Sequence, residues 1–502
     1  MQMKKVISSF LVAAMAMCSY VAKADNVSVD EGKQVAASFM CSYLGQEGGL
    51  TAADVELVYQ IDNEQLGVPA SYFFNVGKEG WVILAATTTI DPIIAFSAED
   101  RLDPEELPEN MMWFVKAYSE NVCNIQALDE AEDWPDDPTW TDLVNGKYKG
   151  ASKAEQHVLT YERWGQGSEV SPTYNYYCPV ASDGRTAVVG CVATAMAQIM
   201  HYFSYPVQPQ GHPYYWLTSS STDTTMPNVM LEIQFDTVAP FNYAIMPNSP
   251  TNVANQMTCT EEQMKEVARL SYYAGITVKM GYSPDGSGTQ STKVPNAMQR
   301  YFKYQPSNLI YRNEPFNSND RTFINGLRAN LINKIILYMS GASSTNGGRD
   351  AAGHAWVCAG YQETDTNKYY MNWGWNGSGN GFYNLGLNSM RPSGTSYNFN
   401  VRLDYIDGLV PPADSSILSI TSVDLDATTL GTAYPNPAMV SVTVPYSTDR
   451  ASELTVYSIE GKPVATYRVQ PGSGEVKVDV AGMPTGIYIY RMNSQHGKFI
   501  VQ

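Results

Sequence analysis

Basic charge is in short supply in this chain. Across 502 residues, 32 Lys and Arg stand against 50 Asp and Glu, a formal net charge of −18. A surface of that sign repels phosphate backbones and argues against nucleic acid as a partner. Cysteine is sparse too. Beyond Cys18 near the N-terminus there are Cys41, Cys123, Cys178, Cys191, Cys259 and Cys358, too few to staple a chain of this length. There is no C-x-x-C and no H-E-x-x-H, so neither a metal nor another cofactor is expected. The absence of G-x-S-x-G speaks against serine hydrolase chemistry. Past the N-terminal segment no apolar run is long enough to span a bilayer.

What is present begins with an export signal over residues 1–24. Lys4 and Lys5 precede the mostly apolar run Val6 to Met17, and Ala22-Lys23-Ala24 is a small-x-small cleavage site. Cys18 after Met17 is a poor context for lipidation. A first unit spans residues 25–148. Its pattern predicts a helix over Asp30 to Gln46 and strands over Ser71 to Val76, Gly80 to Ala86 and Ile90 to Ser97. Residues 98–142 are acid-rich, with only Arg101 and Lys116 as cations, and read as a solvated surface or a detachable segment. The stretch from Trp134 to Pro138 is Pro-rich, and Asn145 to Lys153 reads as a cleavable linker.

The second unit, 149–412, carries predicted helices over Cys191 to Phe203, Glu261 to Tyr273 and Phe323 to Tyr338. Strands follow at Ala355 to Gly360, Lys368 to Trp373 and Gly381 to Leu385, an α+β order. Residues 424–502 alternate with period two over Val440 to Val444, Leu454 to Ser458, Val476 to Val480 and Ile487 to Arg491. Turns fall between them, including Glu460-Gly461, and the pattern predicts a small β-sandwich.

The chemistry centres on Gly190-Cys191-Val192-Ala193-Thr194. A Cys on the first turn of a helix faces unpaired N–H groups and the positive end of the dipole, which favour the nucleophilic thiolate. The alternative is a buried structural Cys. A base must reach the thiol. His496 lies in the last unit and His157 in the linker region. His201 is ten residues down the same helix, about 15 Å along its axis. His212 is a loop candidate. His354, after Gly353 at the start of an apolar strand, is the strongest; it could equally be a hydrogen-bonded core residue. Asn372, one strand later, could orient an imidazole, with Trp373 and Trp375 as a shield from water; all three could also be core and turn residues. The Cys191 N–H and the Gln166 side chain are candidate oxyanion donors. Cys358 shares a strand face with His354 by period-two counting.

Together these residues resemble the streptopain family of papain-like cysteine peptidases. The segment Gly190 to Met200 followed by Tyr202 and Tyr205-Pro206 is the most specific match, with Gly353-His354-Ala355-Trp356, Asn372 to Trp375, and Trp164-Gly165-Gln166 beside it. The resemblance implies an α+β, papain-like peptidase domain with Cys191 as nucleophile, His354 as base and Gln166 at the oxyanion. It also implies substrate contacts from Ser287, within a Gly/Ser loop over Ser283 to Thr292, and from Gly353. Protein or peptide substrates would be the partners. Tyr72 to Ser97 resembles the family's inhibitory propeptide, which would block the cleft until cut near 145–155. Tyr434-Pro435-Asn436-Pro437, Leu454 to Tyr457, Met483 to Tyr488 and Gly497-Lys498-Phe499 resemble the sorting domain of type IX secretion cargo. That implies engagement of the secretion machinery, then release or attachment at the outer surface of a Gram-negative cell. The polar loop Ser340 to Asp350 would alter access to the cleft.

The same dyad would serve a transglutaminase-like acyltransferase, with an amine in place of water. A third reading is a non-enzymatic adhesin in which both positions are structural.

Overall fold

The computed structural model describes residues 26–45, 49–132, 136–218, 225–311, 322–343, 353–386, 401–412, 429–431, 433–448, 451–458, 462–492 and 495–502. The export signal, the Glu460-Gly461 turn and most of the Ser340 to Asp350 loop lie outside them. Contacts divide the chain into two compact units, Met1–Ile417 and Leu418–Gln502.

The first unit opens with α1 (Val29–Leu44), started by a capping box between Ser28 and Glu31 and closed by Gly45 in the left-handed region. A meander follows: β1 (Val55–Asn63), β2 (Val68–Val76), β3 (Trp81–Ala85) and β4 (Ile93–Ser97). The acid-rich stretch is not mere surface. It forms α2 (Glu109–Glu132), and Met111, Phe114, Val115, Tyr118, Val122 and Ile125 make a buried stripe at helical spacing. The short α3 (Pro138–Val144) and β5 (Gln156–Val158) lead into α4 (Cys191–Phe203). Then come β6 (Tyr214–Leu217), β7 (Val229–Glu232), α5 (Glu261–Thr277), α6 (Val294–Phe302), β8 (Asn308–Tyr311) and α7 (Thr322–Ile332). The helix expected over Phe323 to Tyr338 stops early. Lys334 turns the backbone at φ 63° and the apolar remainder becomes β9 (Leu337–Ser343). Strands β10 (Gly353–Gln362), β11 (Lys368–Asn372), β12 (Gly381–Asn384) and β13 (Val401–Asp407) complete the unit.

Among the described residues these strands form one sheet in the order β1-β2-β3-β4-β12-β11-β10-β9-β13-β8, with β5 paired to β10. The units expected at 25–148 and 149–412 therefore share a sheet. The seam is β4 against β12, Phe96 opposite Phe382 and Ala95 opposite Tyr383. Beside the seam Lys368 is fully buried, its Nζ 2.9 Å from both Asp91 and Asp365. Strand β10 is covered from both sides. Trp356 and Cys358 join the core that α2 and α7 cover. Val357 lies opposite Asn372, whose side chain bonds Gln198 of α4, so α4 covers the alternate face.

The second unit contains β14 (Thr429–Leu430), β15 (Ser441–Thr448), β16 (Ser452–Ser458), β17 (Pro463–Val469), β18 (Gly472–Asp479), β19 (Gly486–Met492) and β20 (Gln495–Val501). Sheets β14-β15-β18 and β17-β16-β19-β20 enclose one core of Val442, Val444, Leu454, Val456, Val478, Tyr490 and Phe499, the expected sandwich.

Candidate active site

Three segments converge on the entrance of α4. Gly190, its N-cap, has φ 88°, and a β-carbon there would lie 2.8 Å from the Ser287 carbonyl oxygen, so only glycine fits. Just upstream, the Val189 N–H donates to the Gln166 carbonyl at 2.9 Å and the Val188 N–H to the Ser283 carbonyl at 3.2 Å. The Ser287 hydroxyl donates to the Val188 carbonyl at 2.6 Å and accepts from the Ser283 N–H. Ser287 thus ties the Gly/Ser loop to the chain leading into Cys191.

The Cys191 thiol is half-buried. Burial pushes it up, the N–H groups of Ala355, Val192 and Cys191 itself pull it back, and the charge of Glu109 adds to the rise. The helix start alone predicts a thiolate; in this form desolvation outweighs it. The Ala355 N–H that pulls the thiol back belongs to the residue after His354. Among the described residues no hydrogen bond joins the thiol to the imidazole. The imidazole centroid lies 6.2 Å from that of the Trp113 ring in α2. Burial pushes His354 down, and Glu109 opposes this. A β-carbon on Gly341, across from His354 in β9, would overlap the Trp113 ring. Asn110 at the start of α2 donates to the Trp373 carbonyl at 2.6 Å.

Other expected positions fall less simply. Asn372 does not face His354. Its Nδ2 donates to the Glu162 carbonyl at 2.6 Å and to Gln198 Oε1 at 2.7 Å, while its Oδ1 accepts the Gly374 N–H. Trp373 is 1% exposed and packs on Trp356, Phe114 and Tyr383, so it is core here rather than a cleft wall. Trp375 is half-buried and Gly353 is exposed at the head of β10. Cys358 is buried, unpaired, and pushed well up by burial. His157 stacks on Tyr361 and pairs with Glu363, and His212 pairs with Glu232. Glu109, Asn110, Trp113, Glu162 and Gln198 were not foreseen. The apolar stripe of α2 was the available signal for the first three, masked by its acids.

Residues 164–383 match the family model "Peptidase C10 family". This is a peptidase C10 domain. Residues 24–122 match the "Spi protease inhibitor" model and residues 432–502 the "Secretion system C-terminal sorting domain". The chain is 25% identical over 385 residues to the thiol protease/hemagglutinin PrtT of Porphyromonas gingivalis, covering 75% of this chain but only 41% of that protein. It is 25% identical over 361 residues to streptopain of Streptococcus pyogenes, covering 69% of this chain and 81% of streptopain. The fold is shared with prointerpain A of Prevotella intermedia, at TM-score 0.51 and 23% identity over 71% of this chain and 99% of that fragment. The peptidase domain thus stands between an inhibitor-like prodomain and a secretion tail, and the protein is secreted or held at the outer cell surface. Among the described residues no helix is long and apolar enough to cross a membrane.

Proposed function

We propose that this chain is a secreted cysteine endopeptidase made as an inactive zymogen, with residues 25–148 as propeptide, 149–412 as peptidase domain and 424–502 as sorting domain. In the mature enzyme the Cys191 thiolate attacks the scissile carbonyl. His354 protonates the departing amine and then activates water to hydrolyse the thioester. The Cys191 N–H and the Gln166 side chain hold the oxyanion. Gly353 and Trp375 line the substrate path, Ser287 keeps the Gly/Ser loop in place, and Trp373 supports the wall from within. Asn372 serves by joining α4 to the segment before Gln166 instead of holding the ring.

One observation carries this reading: the backbone N–H beside His354 and the charge of Glu109 both act on the Cys191 thiol, Glu109 also acts on the imidazole, and Trp113 of the same helix lies beside the ring. Burial then favours a neutral thiol and a neutral ring, a resting pair without nucleophile or acid. Cutting the exposed stretch around Lys147 and Lys149 would free α2 to leave, letting the ring swing to the thiol. Cys191→Ala should abolish casein cleavage, leave the fold intact and, where maturation is autocatalytic, leave the secreted chain at full length. Retained cleavage would overturn the nucleophile assignment. Product analysis with an added amine separates hydrolysis from acyl transfer, and labelling by E-64 separates both from a non-enzymatic adhesin.

A further inference from the structure

Below the candidate site lies a buried pair that the reaction as described does not use. His201 is ten residues beyond Cys191 on α4, its side chain 10% exposed, and Glu162 opposite is 3% exposed. The two ring nitrogens of His201 both meet oxygens: Nδ1 is 3.0 Å from Glu162 Oε1, and Nε2 is 3.1 Å from the Met246 carbonyl. A carbonyl oxygen only accepts, so Nε2 carries a proton. A single proton at the Nδ1–Oε1 contact then joins the imidazole to the Glu162 carboxyl group. The other oxygen of Glu162 accepts from the Thr160 hydroxyl. The Trp164 ring covers the imidazole at 4.8 Å, and its Nε1 donates to the Pro247 carbonyl at 3.0 Å.

His201, Glu162 and Trp164 each sit on a segment that carries a proposed catalytic group. His201 belongs to the helix that presents Cys191. Glu162 and Trp164 lead directly into Gln166, whose carbonyl accepts from Val189, two residues before Cys191. The Glu162 carbonyl takes the Asn372 amide, which also holds Gln198 on α4. Two buried cross-links therefore set the distance between the thiol helix and the oxyanion segment, one through His201 and one through Asn372.

We infer that Glu162 and His201 are positioning residues, a buried hydrogen-bonded strut that holds the Gln166 segment against α4 at the separation the oxyanion requires. This rests on the peptidase reading above and adds a residue pair to it. The strut touches neither substrate nor thiol. Its loss should weaken oxyanion stabilisation and spare the nucleophile.

The test uses full-length chains matured by a trace of tagged wild-type enzyme that is then removed. Two readouts are compared: turnover of a peptide substrate, which passes through an oxyanion, and alkylation of Cys191 by iodoacetamide, which does not. In Glu162→Gln and His201→Gln, kcat should fall at least about tenfold with KM within about twofold, because misplaced donors cost rate and not binding. The alkylation rate should stay within about twofold of wild type, and the double variant should be no worse than the poorer single one. Glu162→Gln, isosteric with the native side chain, carries the test alone where His201→Gln does not fold. Unchanged kcat in Glu162→Gln, or alkylation falling in parallel with kcat, overturns the strut. Wild-type enzyme that neither cleaves peptide nor reacts at Cys191 overturns the peptidase reading instead.

Discussion

Two helices cover strand β10, one on each face, and they differ in almost everything else. Helix α4 has no acidic or basic residue except His201 in its last turn, and nearly all of it is buried. Helix α2 exposes Glu109 and Glu120 and buries one stripe. The first belongs to the peptidase domain and delivers Cys191 to the strand. The second belongs to the inhibitor-like segment and brings Trp113 beside the His354 ring. On the reading proposed above, the second helix is the restraint that maturation removes.

This contrast can be broken at the seam. Among the described residues Lys368 is the cation that pairs with both Asp91 and Asp365, and Asp91 lies on the prodomain side. Lys368→Met should leave two partly buried carboxylates without their cation and cost about 3 kcal/mol of zymogen stability, read by denaturant unfolding. Asp91→Asn, which keeps the cation beside Asp365, should cost less. Equal losses would mean that the seam does not rest on this charge.

A smaller effect should follow from the helix itself. Trp113→Ala removes the ring over His354 and Gly341, and by the cost of aromatic truncation should weaken prodomain packing by about 3 kcal/mol. The full-length variant should show peptide cleavage before processing, where the unmutated chain shows none. A silent unprocessed variant would show that Trp113 does not restrain the histidine.

The smallest expected effect sharpens the comparison by pH. In the zymogen burial raises the Cys191 thiol, so its thiolate fraction at neutral pH falls below that of an ordinary thiol. The iodoacetamide reaction of a processing-blocked chain should climb with pH through and beyond the usual thiol range. After prodomain removal the thiolate–imidazolium pair can form, and the profile should move down by at least about one pH unit, equivalent to about 1.4 kcal/mol. Superimposable profiles would show that α2 does not control ionisation.

How much of this was legible follows from the same two helices. The apolar repeat of α4 marks it out residue by residue, and its bounds agree with the expectation from Cys191 to Phe203. The stripe of α2 is as regular, but acids interleaved with it drew the reading toward solvent. The start of β9 reads as the end of a helix because Leu337 and Tyr338 suit either element, and only the sheet that receives them decides. The amide of Asn372 was expected at an imidazole. It is consumed by Glu162 and Gln198, partners 210 and 174 residues away.

By itself the sequence determined the local matters: an exported chain, a cysteine at a glycine-led helix entrance, a histidine heading an apolar strand, and an alternating C-terminal β unit. These depend on neighbours a few residues apart, where periodicity and turn chemistry speak directly. Only the tertiary structure decided that the prodomain sheet runs on into the peptidase sheet, that Trp113 meets His354, and that burial pushes the Cys191 thiol up. Strand pairing and desolvation depend on groups brought together from distant parts of the chain, and no local pattern encodes which groups those are.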